Sequence, residues 1–239
     1  MVPLFTGQLR LSQHRAHGTS LAVITFVAIA GALGYWRAGN IDWRLVAAFV
    51  PGSVVGVYAG ASAMTRVPAL QLRLLFGAFL FFVAFRQLVW HVSAGGPQTG
   101  VGGLLIEGAF GFAGGLLAGI LGVGGGAIFV PAILIFGLAH TSAGHDPQKI
   151  AQGVSLVVII ATGAAGTLTN LRQDMIDVDI VKWVVPGAVL AAFLASVVAN
   201  RLDGDVLKVV YGLTALFLGC QIFYSTIRAY GPRMMEQTI

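Results

Sequence analysis

The chain has 239 residues, of which 57% are hydrophobic and only 10% charged, with a mean hydropathy of +0.87. A soluble domain carries about 25% charged residues, so this chain has too few to clothe a globular surface. An ordinary soluble enzyme, a nucleic-acid-binding module and a disordered protein are excluded. The formal charge of +5 sits on Lys and Arg that fall singly or in pairs between apolar runs, as cations kept near lipid head groups do.

Crossing about 30 Å of hydrocarbon takes roughly twenty helical residues at about 1.5 Å each. Segments at residues 18–36, 45–64, 70–90, 101–121, 150–171 and 181–199 meet that length, and a seventh spans 206–227. Runs of this length exclude a β-barrel, whose strands alternate over about ten residues. Trp36, Trp43, Trp90 and Trp183 stand at or near segment ends, where indole rings favour the membrane interface. The predicted fold is all-α, a polytopic integral membrane helix bundle.

One stretch departs from that template. Gly122-Val123-Gly124-Gly125-Gly126 is followed by an apolar run over residues 127–138 that contains Pro131. As a helix that run reaches only about 18 Å, and proline removes a backbone donor. The expected form is a Gly-rich break and then a short helix broken at Pro131. Irregular backbone is tolerated at membrane depth only where it is buried in protein or lines a cavity.

Self-comparison gives an internal repeat. Ala16 to Ile24 matches Ala151 to Ile159, and the offset of 135 residues persists without a gap. Gly31 pairs with Gly166, Arg37 with Arg172, Asp42 with Asp177, Pro51-Gly52 with Pro186-Gly187 and Arg73 with Lys208. Shared hydrophobicity does not explain paired Asp, Pro and Arg. The organisation is a first membrane repeat over 1–92, a connecting loop at 93–100, a second repeat over 101–227 and a polar tail at 228–239. Repeated halves are common in secondary transporters, which place the substrate between them near the midplane. Inverted and parallel halves both remain open; the even spread of cations leans toward inversion, and it hides the membrane orientation. Val2-Pro3 stands before the first motif as Val130-Pro131 stands before the second, at a spacing of 128 rather than 135 residues, whereas the Gly cluster has no counterpart, so the expectation is a reading frame that starts further upstream.

The run Gly122-Val123-Gly124-Gly125-Gly126-Ala127-Ile128-Phe129-Val130-Pro131, followed by Ala-x-Gly-x-Ser-Leu at 151–156, resembles the sulfite exporter TauE/SafE family, also called the 4-toluene sulfonate uptake permease family. The resemblance covers nearly the whole chain; the first copy of the Gly cluster is what it lacks. It implies passage of a small organosulfur anion (sulfite, a sulfonate or sulfoacetate) across the cytoplasmic membrane.

Each candidate residue carries two readings. Backbone amides of Gly124, Gly125 and Gly126 can approach an oxyanion without a Cβ in the way, ahead of a helix start that favours negative charge; the same glycines also suit close helix packing. A loose dinucleotide fingerprint at Gly122-x-Gly124-x-x-Ala127 fails for lack of a preceding strand and a ribose-binding acid. Ser20 and Ser155, with Thr19, stand near the starts of equivalent helices, where their hydroxyls either bind solute or bond back to their own helix. Glu107 is the one carboxylate in a predicted span: it either couples a proton to transport or marks a helix start at the interface.

The reading is a secondary transporter of a sulfite-like or organosulfur anion in the cytoplasmic membrane, a multi-pass protein in lipid that binds no nucleic acid and uses no metal or cofactor. Homo-oligomerisation is left open. The alternative is a non-transporting scaffold or a subunit of a larger membrane complex. Enzymatic activity is not expected: Ser155 is available as a nucleophile, but every His lies outside the predicted spans or at their ends.

Overall fold

The computed structural model describes residues 13–64, 69–89, 101–121, 126–135 and 146–236. Among these, every regular element is an α-helix: α1 (Gln13–Arg37), α2 (Trp43–Met64), α3 (Ala69–Val89), α4 (Val101–Leu121), α5 (Gly126–Ile135), α6 (Pro147–Arg172), α7 (Val178–Arg201) and α8 (Gly204–Glu236). Six of them hold a stretch long and apolar enough to cross a bilayer, and α3 holds a shorter one, Leu74–Val89. All seven expected long segments are helices over their described residues. The helix of α8 runs on through Glu236, past residue 227, where the sequence suggested a tail.

The local starts follow from capping chemistry. Asp42 Oδ1 accepts from the amides of Arg44 and Leu45 at 3.0 and 3.1 Å, and its repeat mate Asp177 accepts from Ile180 at 3.2 Å. Each satisfies donors that a helix start leaves free. α6 is capped by Asp146 with Pro147 in its first turn, a position that needs no amide donor. The turns before α2 and α7 are also copies. Gly39 (φ 72°) and Asp174 (φ 50°) hold equivalent left-handed positions. The next amides, of Asn40 and Met175, each donate at 2.9 Å to the carbonyls of Tyr35 and Asn170.

The halves are inverted. Gly31 of α1 lies against Leu156 of α6, and reciprocally Gly166 lies against Leu21, so the late part of each helix meets the early part of its mate. α3 and α8 repeat the pattern: Gly77 lies against Phe223, and Gly212 against Leu88. Every residue in these two exchanges has its own mate, 135 positions away, in the reciprocal contact, which is the signature of a pseudo-two-fold axis. The α1–α2 turn (38–42) and the α6–α7 turn (173–177) therefore sit at opposite ends of the bundle.

α4 packs on α2, and α5 lies between α4 and α6. α2 and α4 run parallel and touch backbone to backbone: a side chain at Gly52, Gly56 or Gly60 would strike Gly108, Phe112 or Leu116 in turn. α5 turns back against α4, with Ile128 and Phe129 on Gly114, two turns before the end of α4. Phe129 meets Phe49 edge-on at 6.1 Å. These residues form one core with Leu45, Ile133, Val154 and Val158. The helix of α5 continues through Pro131, so the break expected there is absent. Pro131 is the sixth residue of α5, and its missing donor leaves only the first-turn carbonyl of Ala127 without an intrahelical partner.

Candidate functional site between the inverted halves

The two halves meet where α1 crosses α6. Small residues set the approach: a Cβ on Gly163 would lie 2.5 Å from Thr25 Oγ1. Near the midpoint of the crossing, Thr25 Oγ1 donates to Leu21 O at 2.9 Å and lies 3.4 Å from Thr167 Oγ1. Thr162 Oγ1 donates to Val158 O at 3.0 Å. Thr25 and Thr162 are buried. Each hydroxyl returns to its own helix, so each holds a donor that can be re-aimed by rotation about χ1 without unfolding the backbone. No motif or repeat in the sequence singles out these threonines. They become visible once the halves are known to be inverted, because only residues near the middle of repeat-equivalent helices then come together.

The hydroxyls that were singled out lie elsewhere. Thr19, Ser20 and Ser155 are all buried. Thr19 Oγ1 accepts from the amide of Asp177 at 2.9 Å, tying α1 to the start of α7. Ser155 Oγ donates to Gln152 O at 3.0 Å, within its own helix. Ser20 neighbours Leu21, which packs on Gly166, eleven residues along α6 from Ser155. At about 1.5 Å per residue the two serines are roughly 16 Å apart along that axis. The structure does not bring them together: one stands toward each end of the crossing.

The end that holds the α1–α2 turn is laced by side chains from several helices. Tyr35 hydroxyl donates to Gln152 Oε1, Asn40 Nδ2 to Asn200 Oδ1 at 2.6 Å and Lys149 Nζ to Asn200 O at 3.1 Å. Buried Gln87 of α3 donates to Gln148 of α6 at 2.6 Å. The repeat does not preserve these groups: His17, Asn170 and Met175 stand where Gln152, Tyr35 and Asn40 have their mates. This end is therefore bonded differently from its counterpart.

Glu107 is fully buried, and its Oε1 lies 3.9 Å from the guanidinium of Arg44 across the α2–α4 interface. A carboxylate in so dry a place needs a cationic partner, and the parallel packing of α2 and α4 brings the two near the starts of their helices. Gly126 opens α5; Gly124 and Gly125 lie outside the described residues. Among the described residues, no cluster of three or more His, Cys, Asp or Glu is arranged to hold a metal.

Inverted repeats, a half-length helix beside their crossing and buried hydroxyls at its midpoint are features of membrane transporters. The comparisons agree. The family described as "Sulfite exporter TauE/SafE" is matched by residues 1–143 and again by residues 106–238. The chain is 23% identical over 229 residues to the "Probable membrane transporter protein YunE" of Bacillus subtilis (strain 168), covering 89% of this chain and 81% of that protein. It is 25% identical to "Probable membrane transporter protein YdhB" of the same strain, covering 94% and 90%. A "Probable membrane transporter protein" of Xylella fastidiosa (strain 9a5c) is 26% identical, with coverage of 88% and 80%. No solved structure matches the chain. The chain belongs to the sulfite exporter TauE/SafE family of multi-pass membrane transporters.

Proposed function

We propose that the protein is a secondary transporter that carries a small sulfite- or sulfonate-like oxyanion across the cytoplasmic membrane by opening the α1–α6 crossing alternately toward the two faces. The observation that carries this reading is the reciprocal packing of α1 and α6. In an inverted pair each half can take up the packing of the other, which yields two states of similar energy with access from opposite sides. Lacing by Tyr35, Asn40, Gln152 and Asn200 then belongs to the state closed at the α1–α2 turn end.

A tetrahedral or pyramidal oxyanion needs several donors to replace its water. In this reading Thr25, Thr162 and Thr167 supply hydroxyls at the midpoint. Gly124, Gly125 and Gly126 supply amides where α5 begins beside the same core. Ser20 and Ser155 serve the two ends of the path in turn, with Thr19 beside Ser20. Glu107 is the group assigned to proton coupling, with Arg44 as the cation that faces it.

The test is uptake of isotopically labelled sulfite and sulfoacetate into proteoliposomes. Saturable uptake above that of empty vesicles, competed by the unlabelled anion, is the expected result. Uptake equal to that of empty vesicles across a panel of such anions overturns the substrate class, and failure with every solute class tried overturns transport by this chain alone.

A further inference from the structure

α7 is the least covered of the spanning helices, with 6% of its apolar window buried. One face carries Trp183, Gly187, Leu190, Ala191, Leu194, Ala195 and Val198, all exposed, and nothing lies within 4 Å of where a Cβ on Gly187 would stand. The repeat says what such a face is for. Gly187, Ala191 and Ala195 are the mates of Gly52, Gly56 and Gly60, the three positions through which α2 packs on α4. The same small-residue line is thus covered in one half and bare in the other, within a single molecule.

We propose that this face of α7 is the docking surface for one further transmembrane helix of α4's chemistry: apolar, glycine-lined at three- to four-residue spacing and parallel to α7. Direction and composition both follow from the covered copy. α2 and α4 are parallel, and their contact is backbone on backbone, with a side chain at Gly111 striking Phe49 O and one at Gly115 striking Ser53 O. In α7 two of the three small positions are alanine, so the glycines that permit close approach must come from the partner. A second copy of this chain offers no such surface: its α4 glycines already face its own α2, and its α7 carries the same alanines. Close packing of this kind holds membrane helices together where apolar burial gives no driving force.

The experiment uses the full chain in lipid bilayers. It carries Cys220→Ser and a donor dye on Asp179→Cys, at the exposed start of α7. The probe is a synthetic peptide with the sequence of residues 101–121 and an acceptor at its N-terminus. Saturable energy transfer is expected, weak when the acceptor is moved to the C-terminus. Affinity is expected to fall by about tenfold or more in Ala191→Leu and in Gly187→Leu, while both variants elute and melt like the parent because both positions are exposed. A peptide with leucine at its positions 108, 111 and 115 is expected not to bind. Transfer no greater than lipid dilution gives overturns the proposal. So does equal transfer to the leucine variants, or self-association of the protein through α7 that shuts the peptide out.

Discussion

Asn40 and Met175 are repeat mates, and each lays its backbone carbonyl on a glycine of the other half, the two glycines being mates as well: Asn40 on Gly153 and Met175 on Gly18. Neither glycine has room for a Cβ. The contact is the same bond-free backbone approach made twice, at opposite ends of the bundle, and it fixes how each turn seats on the neighbouring half.

Gly153→Ala and Gly18→Ala are therefore expected to destabilise the fold by about 1–3 kcal/mol each, the usual range for forcing atoms into a packed site. Gly102→Ala, which meets nothing within 4 Å, is expected to be neutral. Thermal unfolding in detergent, monitored by loss of the helical circular-dichroism signal, measures all three. Equal melting of the three variants contradicts the packing described.

Inversion is tested by sidedness. Ala38 and Gln173 are repeat mates, both exposed, in the two turns. In a Cys220→Ser background, Ala38→Cys and Gln173→Cys are expected to react with an impermeant maleimide from opposite sides of the membrane. Labelling of both from one side requires parallel halves.

The Gln87–Gln148 bond separates the cost of an unpaired amide from the value of the bond. Gln148→Leu leaves Gln87 buried without its acceptor and is expected to cost about 1–2 kcal/mol. Adding Gln87→Leu is expected to recover part of that loss, since an apolar pair leaves nothing to satisfy. Additive losses in the double-mutant cycle rule out direct coupling of the two residues.

Glu107→Gln keeps the shape of the side chain and removes its charge. If Glu107 carries the coupling proton, uptake driven by an imposed pH gradient is lost, while exchange of labelled for unlabelled solute persists. Unchanged acceleration by the gradient removes Glu107 from that role.

Length and apolar content made the seven long helices legible, and the pairing of Asp42 with Asp177 marked two equivalent positions that turn out to cap helix starts. Pro131 misled, because a proline in the second turn of a short helix costs only one first-turn bond and the helix passes through it. The serines misled for a different reason. Repetition marked Ser20 and Ser155 as equivalent, and equivalence reads naturally as proximity; about an inverted axis, equivalent residues stay apart unless they lie near the middle. Thr25 and Thr167 escaped notice because they are not mates, so no self-comparison could pair them. The Arg44–Glu107 pair also lacked a signal, since it depends on α2 and α4 running parallel.

The inversion also accounts for the absence of a charge bias. Arg37 and Arg172 end α1 and α6, and Arg73 and Lys208 fall early in α3 and α8; within each pair the two positions stand at opposite ends of the bundle. A machinery that chooses orientation by weighing cations on either side of the bilayer finds these pairs in balance. The choice then falls to unmatched cations such as Arg44, Arg86, Lys149 and Lys182, whose mates are Asp179, Gln221, His14 and Ala47. By that rule, the choice of which way the molecule is threaded at birth rests on a few unmatched side chains.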